Sequence, residues 1–116
     1  MTYTEYNNVS GNFIEEWRNE KGILHREDGP CYIRRSNSKV IQYESYRVSD
    51  CFHRKDGPAR IWYDISDGLI REEEFWFHGE PLGKNKEGFW IYWSLLSEEE
   101  RKYPNILKLL VKYASS

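Results

Sequence analysis

Short runs of aromatic and branched apolar residues punctuate the chain, each closed off by Gly, Asp, Asn, Ser or Pro. Runs of this kind predict β-strands with turns between them. They lie near Asn12–Arg18, Cys31–Arg35, Val40–Arg47, Ala59–Tyr63, Leu69–Phe77 and Gly88–Trp93. Ser36-Asn37-Ser38 and Ser66-Asp67-Gly68 read as hairpin turns, the second joining Ile61-Trp62-Tyr63 to Leu69-Ile70 antiparallel. The first eleven residues are polar and read as loosely ordered or as a short edge strand. The pattern changes after residue 96. Ser97-Glu98-Glu99-Glu100 has the form of a capping box, with Glu three residues after Ser. Pro104 suits the first turn of a helix, and Ile106, Leu107, Leu110, Val111 and Ala114 then follow at helical spacing. The expected fold is α+β and mainly β. It is one domain over residues 1–116, an antiparallel meander of about six strands built from repeated hairpins over 12–93. A C-terminal helical segment over 97–114 packs on one face.

The strands belong to a repeat. Leu24-His25-Arg26-Glu27-Asp28-Gly29-Pro30 returns 28 residues later as Phe52-His53-Arg54-Lys55-Asp56-Gly57-Pro58. A fixed period in this range marks an array of supersecondary units. Glu87-Gly88-Phe89-Trp90-Ile91-Tyr92-Trp93 reads as a degraded third copy, stripped of its His, Arg and Pro. The heptad has a readable chemistry. Asp before Gly suits an Asx turn, Gly supplies a positive φ, and Pro sets the exit into an extended strand. Arg two residues before Asp predicts a guanidinium–carboxylate pair across the turn. The His is expected to pack on a ring and donate to a carbonyl. His25, Arg26, Asp28, Gly29 and Pro30, with His53, Arg54, Asp56, Gly57 and Pro58, are therefore read as structural clasps. A catalytic site needs one unique constellation, and this one is duplicated.

At these residues the chain resembles the MORN-like repeat families, and more narrowly proteins with HRxDGPA repeats, over about residues 13–93. Cys31 stands where those repeats carry Ala. The resemblance implies stacked hairpins in an elongated twisted sheet. It also implies a binding or scaffolding role, in some members an antitoxin-like neutraliser of another protein. It brings no catalytic residues.

Composition narrows the rest. Aromatic residues make up 16% of the chain, as five Trp, nine Tyr and five Phe. A thin sheet covered by one helix cannot hide them all, because strand residues alternate faces. The formal charge is −2, which argues against a general attraction to nucleic acid. Arg34-Arg35 with Lys39, and Lys84 with Lys86, read as solvated loop charge. Cys31 and Cys51 form no CxxC, and with three dispersed histidines they offer no zinc spacing. No cofactor or metal is expected. Met1–Tyr6 has neither the charged nor the apolar region of a secretory signal, and no apolar run approaches a membrane span. A cytoplasmic protein with free thiols is expected, in the host cytoplasm if the protein is viral.

Trp, Tyr and Arg are the residues most enriched where proteins bind one another. Trp62, Trp76, Tyr63, Phe77, Trp90 and Arg60 are therefore the candidate partner-binding residues. The expected function is a non-enzymatic protein-interaction module, a small inhibitor or neutraliser of anti-defence or antitoxin-like type. A homodimer through exposed sheet edges is plausible on this pattern. The alternative is a small-ligand binder that sequesters a nucleotide or other anionic signal, with Arg26, Arg54 and Arg60 holding phosphate. A general-base pair of His25 or His53 with Asp28 or Asp56 is the enzymatic reading. His78-Gly79-Glu80, unique to the third unit, reads as a hairpin turn.

Overall fold

Side-chain oxygens close the hairpins. Asn8 Oδ1 accepts the backbone N–H groups of Ser10 and Asn12, and Asn19 Oδ1 those of Lys21 and Ile23. Ser36 Oγ accepts from Val40, and Asp64 Oδ1 from Ser66. Each reverses the chain locally, so successive strands pair antiparallel. In the computed structural model, which describes residues 1–115, these strands are β1 (Thr2–Asn7), β2 (Phe13–Arg18), β3 (Tyr32–Arg35), β4 (Ile41–Ser45), β7 (Arg60–Tyr63), β8 (Ile70–Phe77) and β9 (Glu80–Lys84). They form one seven-stranded sheet in the order β1-β2-β3-β4-β7-β8-β9. A small hairpin of β5 (Arg47–Val48) and β6 (Cys51–Phe52) interrupts the meander between β4 and β7. Helices α1 (Asn85–Leu95) and α2 (Pro104–Ala114) follow the last strand.

The fold is thus α+β and mainly β, with a terminal helix, as the residue pattern implies. Residues 1–11 contribute an edge strand, and the sheet spans Thr2 to Lys84. One expected strand is a helix: Gly88–Trp93 lies inside α1. The run is apolar at five successive positions, which alternation cannot distinguish from a buried helix. The spacing that decides it is Phe89, Tyr92 and Leu96, one helical face, all buried. The chain reaches α1 through Gly83 at φ 127° and Asn85 at φ 52°.

Register divides the sheet into two faces. On one, Ile33 lies opposite Glu44, Glu44 opposite Ile61, and Ile61 opposite Glu73. The helices pack on the β8 end of this face. Phe75, Phe89, Tyr92, Leu96, Ile106 and Tyr113 form its core. Burying a large apolar side chain contributes about 1.5–3 kcal/mol, so these six carry much of the molecule's stability. Glu73, 1% exposed, lies under α2 and pairs with Lys112. The apolar stripe expected on α2 is only partly the buried one. Ile106 and Tyr113 face the sheet, while Leu107, Val111 and Ala114 face outward.

Ser97 and Glu100 do form reciprocal capping bonds, Ser97 N–H to Glu100 Oε1 at 2.9 Å and Glu100 N–H to Ser97 Oγ at 3.2 Å. They cap a single 3-10 turn, Glu100–Lys102, and α2 begins separately with Pro104 in its first turn. Among the described residues, no helix is long and apolar enough to cross a membrane.

Candidate functional site

Both heptads lie at the same end of the sheet and have the same internal geometry. Arg26 Nε donates to Asp28 Oδ1 at 3.1 Å and its Nη1 to the Pro30 carbonyl at 3.1 Å, with the guanidinium 4.0 Å from the centre of Trp17. Arg54 repeats this with Asp56 Oδ1 at 3.0 Å, the Pro58 carbonyl at 3.3 Å, and Tyr46 at 4.1 Å. The predicted Arg–Asp pair is therefore present in both copies. The residues after each proline, Cys31 and Ala59, are fully buried, which leaves room only for a small side chain.

Two details of the motif differ from the sequence reading. Gly29 and Gly57 do not adopt positive φ. They are glycine because a Cβ would sit 2.9 Å from Arg26 Cζ and 3.0 Å from Arg54 Cζ. The histidines accept rather than donate. His25 Nδ1 takes the Ser49 backbone N–H at 2.8 Å, and His53 Nδ1 that of His78 at 3.1 Å. Ser49 (φ 51°) and His78 (φ 49°) each open a two-residue turn with positive φ, so each histidine secures the tip of the next hairpin. His78-Gly79 is the turn the residue pattern implies. The His53 ring also stacks on His78 at 4.2 Å and meets Phe77 edge-on. Burial, and then the His78 ring, hold its pKa below the ordinary imidazole value.

The second clasp is stitched to α1. Tyr92 Oη accepts the Gly57 N–H at 3.1 Å and donates to the Arg54 carbonyl at 2.8 Å. Asn105 of α2 donates to Asp56 Oδ2. A cleft of about 970 Å³ runs between the two clasps and the start of α2. It is lined by Arg26, Asp28, His53, Arg54 and Asp56, but not by His25. Its arginines bond the aspartates and its histidine accepts from a backbone amide, and among the described residues no hydrogen bond joins His25 or His53 to Asp28 or Asp56.

Among the described residues, no helix packs on the other sheet face. There Arg34 lies opposite Tyr43, Tyr43 opposite Trp62, Ser45 opposite Arg60, and Arg60 opposite Glu74. Rings and cations interleave across it. Tyr32 meets Tyr43 at 5.9 Å, and Tyr43 meets Trp62 at 5.3 Å. Arg60 lies 4.7 Å from the Trp62 centroid and donates from Nε to Tyr43 Oη at 2.8 Å. Lys84 flanks Trp62 at 5.8 Å. Trp76 donates to Glu74 at 2.6 Å and packs on Phe52 at 4.8 Å.

The six candidate binding residues fall into three groups. Trp62, Trp76 and Arg60 share the open face. Tyr63 and Phe77 lie on the helix side, where the Tyr63 hydroxyl donates to Glu44 at 2.5 Å and Phe77 packs against the helix core. Trp90, 37% exposed, stands on α1, its ring against Phe89 and Trp93. The three therefore do not join the open-face cluster, because strand neighbours alternate and α1 is not a strand. The three arginines expected to hold phosphate also divide, since Arg26 and Arg54 serve the clasps and, of the three, Arg60 is on the open face.

Arg34 and Arg47, outside the six candidates, also reach this face. Arg34, which reads as loop charge, is inside β3 and shares the open face with Arg60. Its strand neighbour Arg35 points the other way and bonds Glu15 at 2.8 Å. Alternation within Tyr32–Arg35 was the signal available. Arg47 is placed by the β5–β6 hairpin, with its guanidinium 4.0 Å from Phe52. Compared with known proteins, the chain matches no family model, no curated protein and no solved structure.

Proposed function

We propose that this chain is a non-enzymatic protein-interaction module that works in the cytoplasm as a small inhibitor or neutraliser of another protein, through the open face of its sheet. One observation carries the reading: Trp62 packs at a tilt on Tyr43 and lies under the Arg60 guanidinium, in a cluster on a face that, among the described residues, no helix covers. Indole rings and guanidinium groups held in place lose little side-chain entropy on binding, and they dominate the energetics of protein contacts. The clasps support this by spending their His, Arg and Asp groups on holding hairpins together. The MORN-like resemblance supports the neutralising role.

The test places a photo-crosslinking amino acid at Trp62, and separately at the fully exposed Val9 as a control. A discrete adduct of defined mass from position 62 alone supports the reading. With the captured partner purified, Trp62→Ala and Trp76→Ala are expected to weaken the complex by about 2 kcal/mol each, near thirtyfold. Unchanged affinity in both variants overturns it.

A further inference from the structure

The open face is not flat. Between β3, β4, β7 and the β5–β6 hairpin lies a hollow of about 230 Å³, lined by Arg34, Arg47 and Arg60 with Tyr32, Tyr43 and Trp62 among its walls. No carboxylate lines it among the described residues. The three guanidinium groups come from three different elements and crowd the same rings. Arg34 and Arg60 lie 5.3 and 5.5 Å from the Tyr43 centroid, and Arg47 and Arg60 lie 4.0 and 4.9 Å from that of Phe52.

Their charge is only partly balanced. Arg60 pairs with Glu74 at 3.3 Å, and Arg47 with the exposed Asp50 at 3.2 Å. Arg34 donates from Nε to the neutral amide of Gln42. Arg47 Nε is buried with no hydrogen-bond partner. Glu74 and Asp50 answer two of the three guanidinium groups, Arg34 has a neutral hydrogen-bond partner, and an entering anion adds the balancing charge. A protein whose formal charge is −2 has thus concentrated positive charge in one concavity.

We infer that this hollow is a binding site for a small phosphate monoester whose molecule also bears a flat ring. A carboxylate has two oxygens and one charge, which a single guanidinium fork satisfies. A phosphate monoester presents three terminal oxygens and close to two charges, which suits donors converging from three elements. Trp62 and the tyrosines offer ring faces for the rest of the ligand, and the volume admits a phosphate with one ring system. A mononucleotide and an aryl phosphate share this chemistry. The inference goes beyond the docking proposal and is read on the isolated chain, so either can fail while the other stands.

The probes are AMP, phenyl phosphate, inorganic phosphate and benzoate, titrated by calorimetry at low chloride concentration. Saturable one-to-one binding of AMP or phenyl phosphate is expected, at least tenfold tighter than inorganic phosphate or benzoate. The tighter of the first two separates a heterocyclic from an aryl source. Arg34→Gln is expected to weaken binding at least tenfold, while Arg71→Gln, at an exposed site in β8, leaves it unchanged. Nitrogen NMR of the wild-type arginine side chains guards against a folding defect in the variant. The Nε signals of Arg34, Arg47 and Arg60 are expected to shift on adding ligand, and those of Arg26 and Arg54 to stay. Absence of saturation at millimolar ligand, binding that survives Arg34→Gln, or shifts confined to the clasp arginines would each overturn the inference.

Discussion

Gly57 shows how far a single atom reaches in this molecule. Its Cα faces the Arg54 guanidinium, which is held by Asp56, by the Pro58 carbonyl and by the Tyr46 ring, while its own N–H is held by Tyr92. A methyl group there displaces an anchored side chain. Gly57→Ala is expected to cost about 1–3 kcal/mol, as overpacking does, and to lower the Tm by several degrees. Gly29→Ala is expected to cost less in the same melts, because the Asp28 that holds Arg26 is exposed, whereas the Gly57 N–H is also tied to Tyr92 of α1. His53 makes a different prediction. Its folded pKa is lowered, so the unfolded chain binds the extra proton more readily. Its contribution is therefore full above the ordinary imidazole pKa of about 6.5. It is lost as pH falls from there through the lowered folded value. The groups facing the ring are His78, which depresses that value, and Glu100, which opposes the shift. Wild type and His53→Asn are expected to converge in Tm as pH falls from 7.5 to 5; a constant difference across that range contradicts the argument. The residue pattern exposed the Arg–Asp pairs because their partners are two positions apart. It could not expose the cause of the glycines, which is where the arginine goes after pairing.

Each strand and helix owes its existence to local chemistry, and its facing to what lies across from it. The hairpin loops opened by Ser36 and Asp64 are legible because the stabilising bonds span only a few residues, and the structure adds two of the same kind at Asn8 and Asn19. Helix α1 was hidden by its own apolar richness. Its position depends on Gly88, where a Cβ would meet the Gly83 carbonyl oxygen at 2.1 Å. No rotamer relieves a clash with backbone, so Gly88→Ala is expected to cost at least about 3 kcal/mol, the top of the usual overpacking range. Thermal or denaturant unfolding checks it, and a loss under 1 kcal/mol would mean that α1 does not sit against β9. Helix α2 offers a contrast along one apolar stripe. Ile106→Ala is expected to cost about 2–5 kcal/mol, because the side chain is fully buried. Val111→Ala should stay within about 0.5 kcal/mol, because Val111 is 71% exposed. Equal losses would place a second covered surface on the outer side of α2. Helical spacing identified the stripe; only the sheet beneath could choose which members of it are buried.

Stability is unevenly spread across the whole molecule. The core cluster sits at the β8 end beneath both helices, while every residue of β1 is exposed at the opposite edge. Local opening needs less free energy where fewer apolar contacts break. Hydrogen exchange is therefore expected to be fastest in the hydrogen-bonded amides of β1 and slowest in β8 and α1; uniform protection across the sheet would contradict this. The proposed function rests on the same asymmetry, since helices cover one face at one end and leave the other face to rings and arginines. The period of the heptads, the meander and the clasp pairs were determined by sequence alone, because each depends on bonds between residues close along the chain. Tertiary structure alone decided that Arg34, Arg47 and Arg60 share one hollow, and that Tyr92 ties a helix to the second clasp. Those relations join residues far apart in the chain, and strand register and helix packing, which act over distance, are what bring them together.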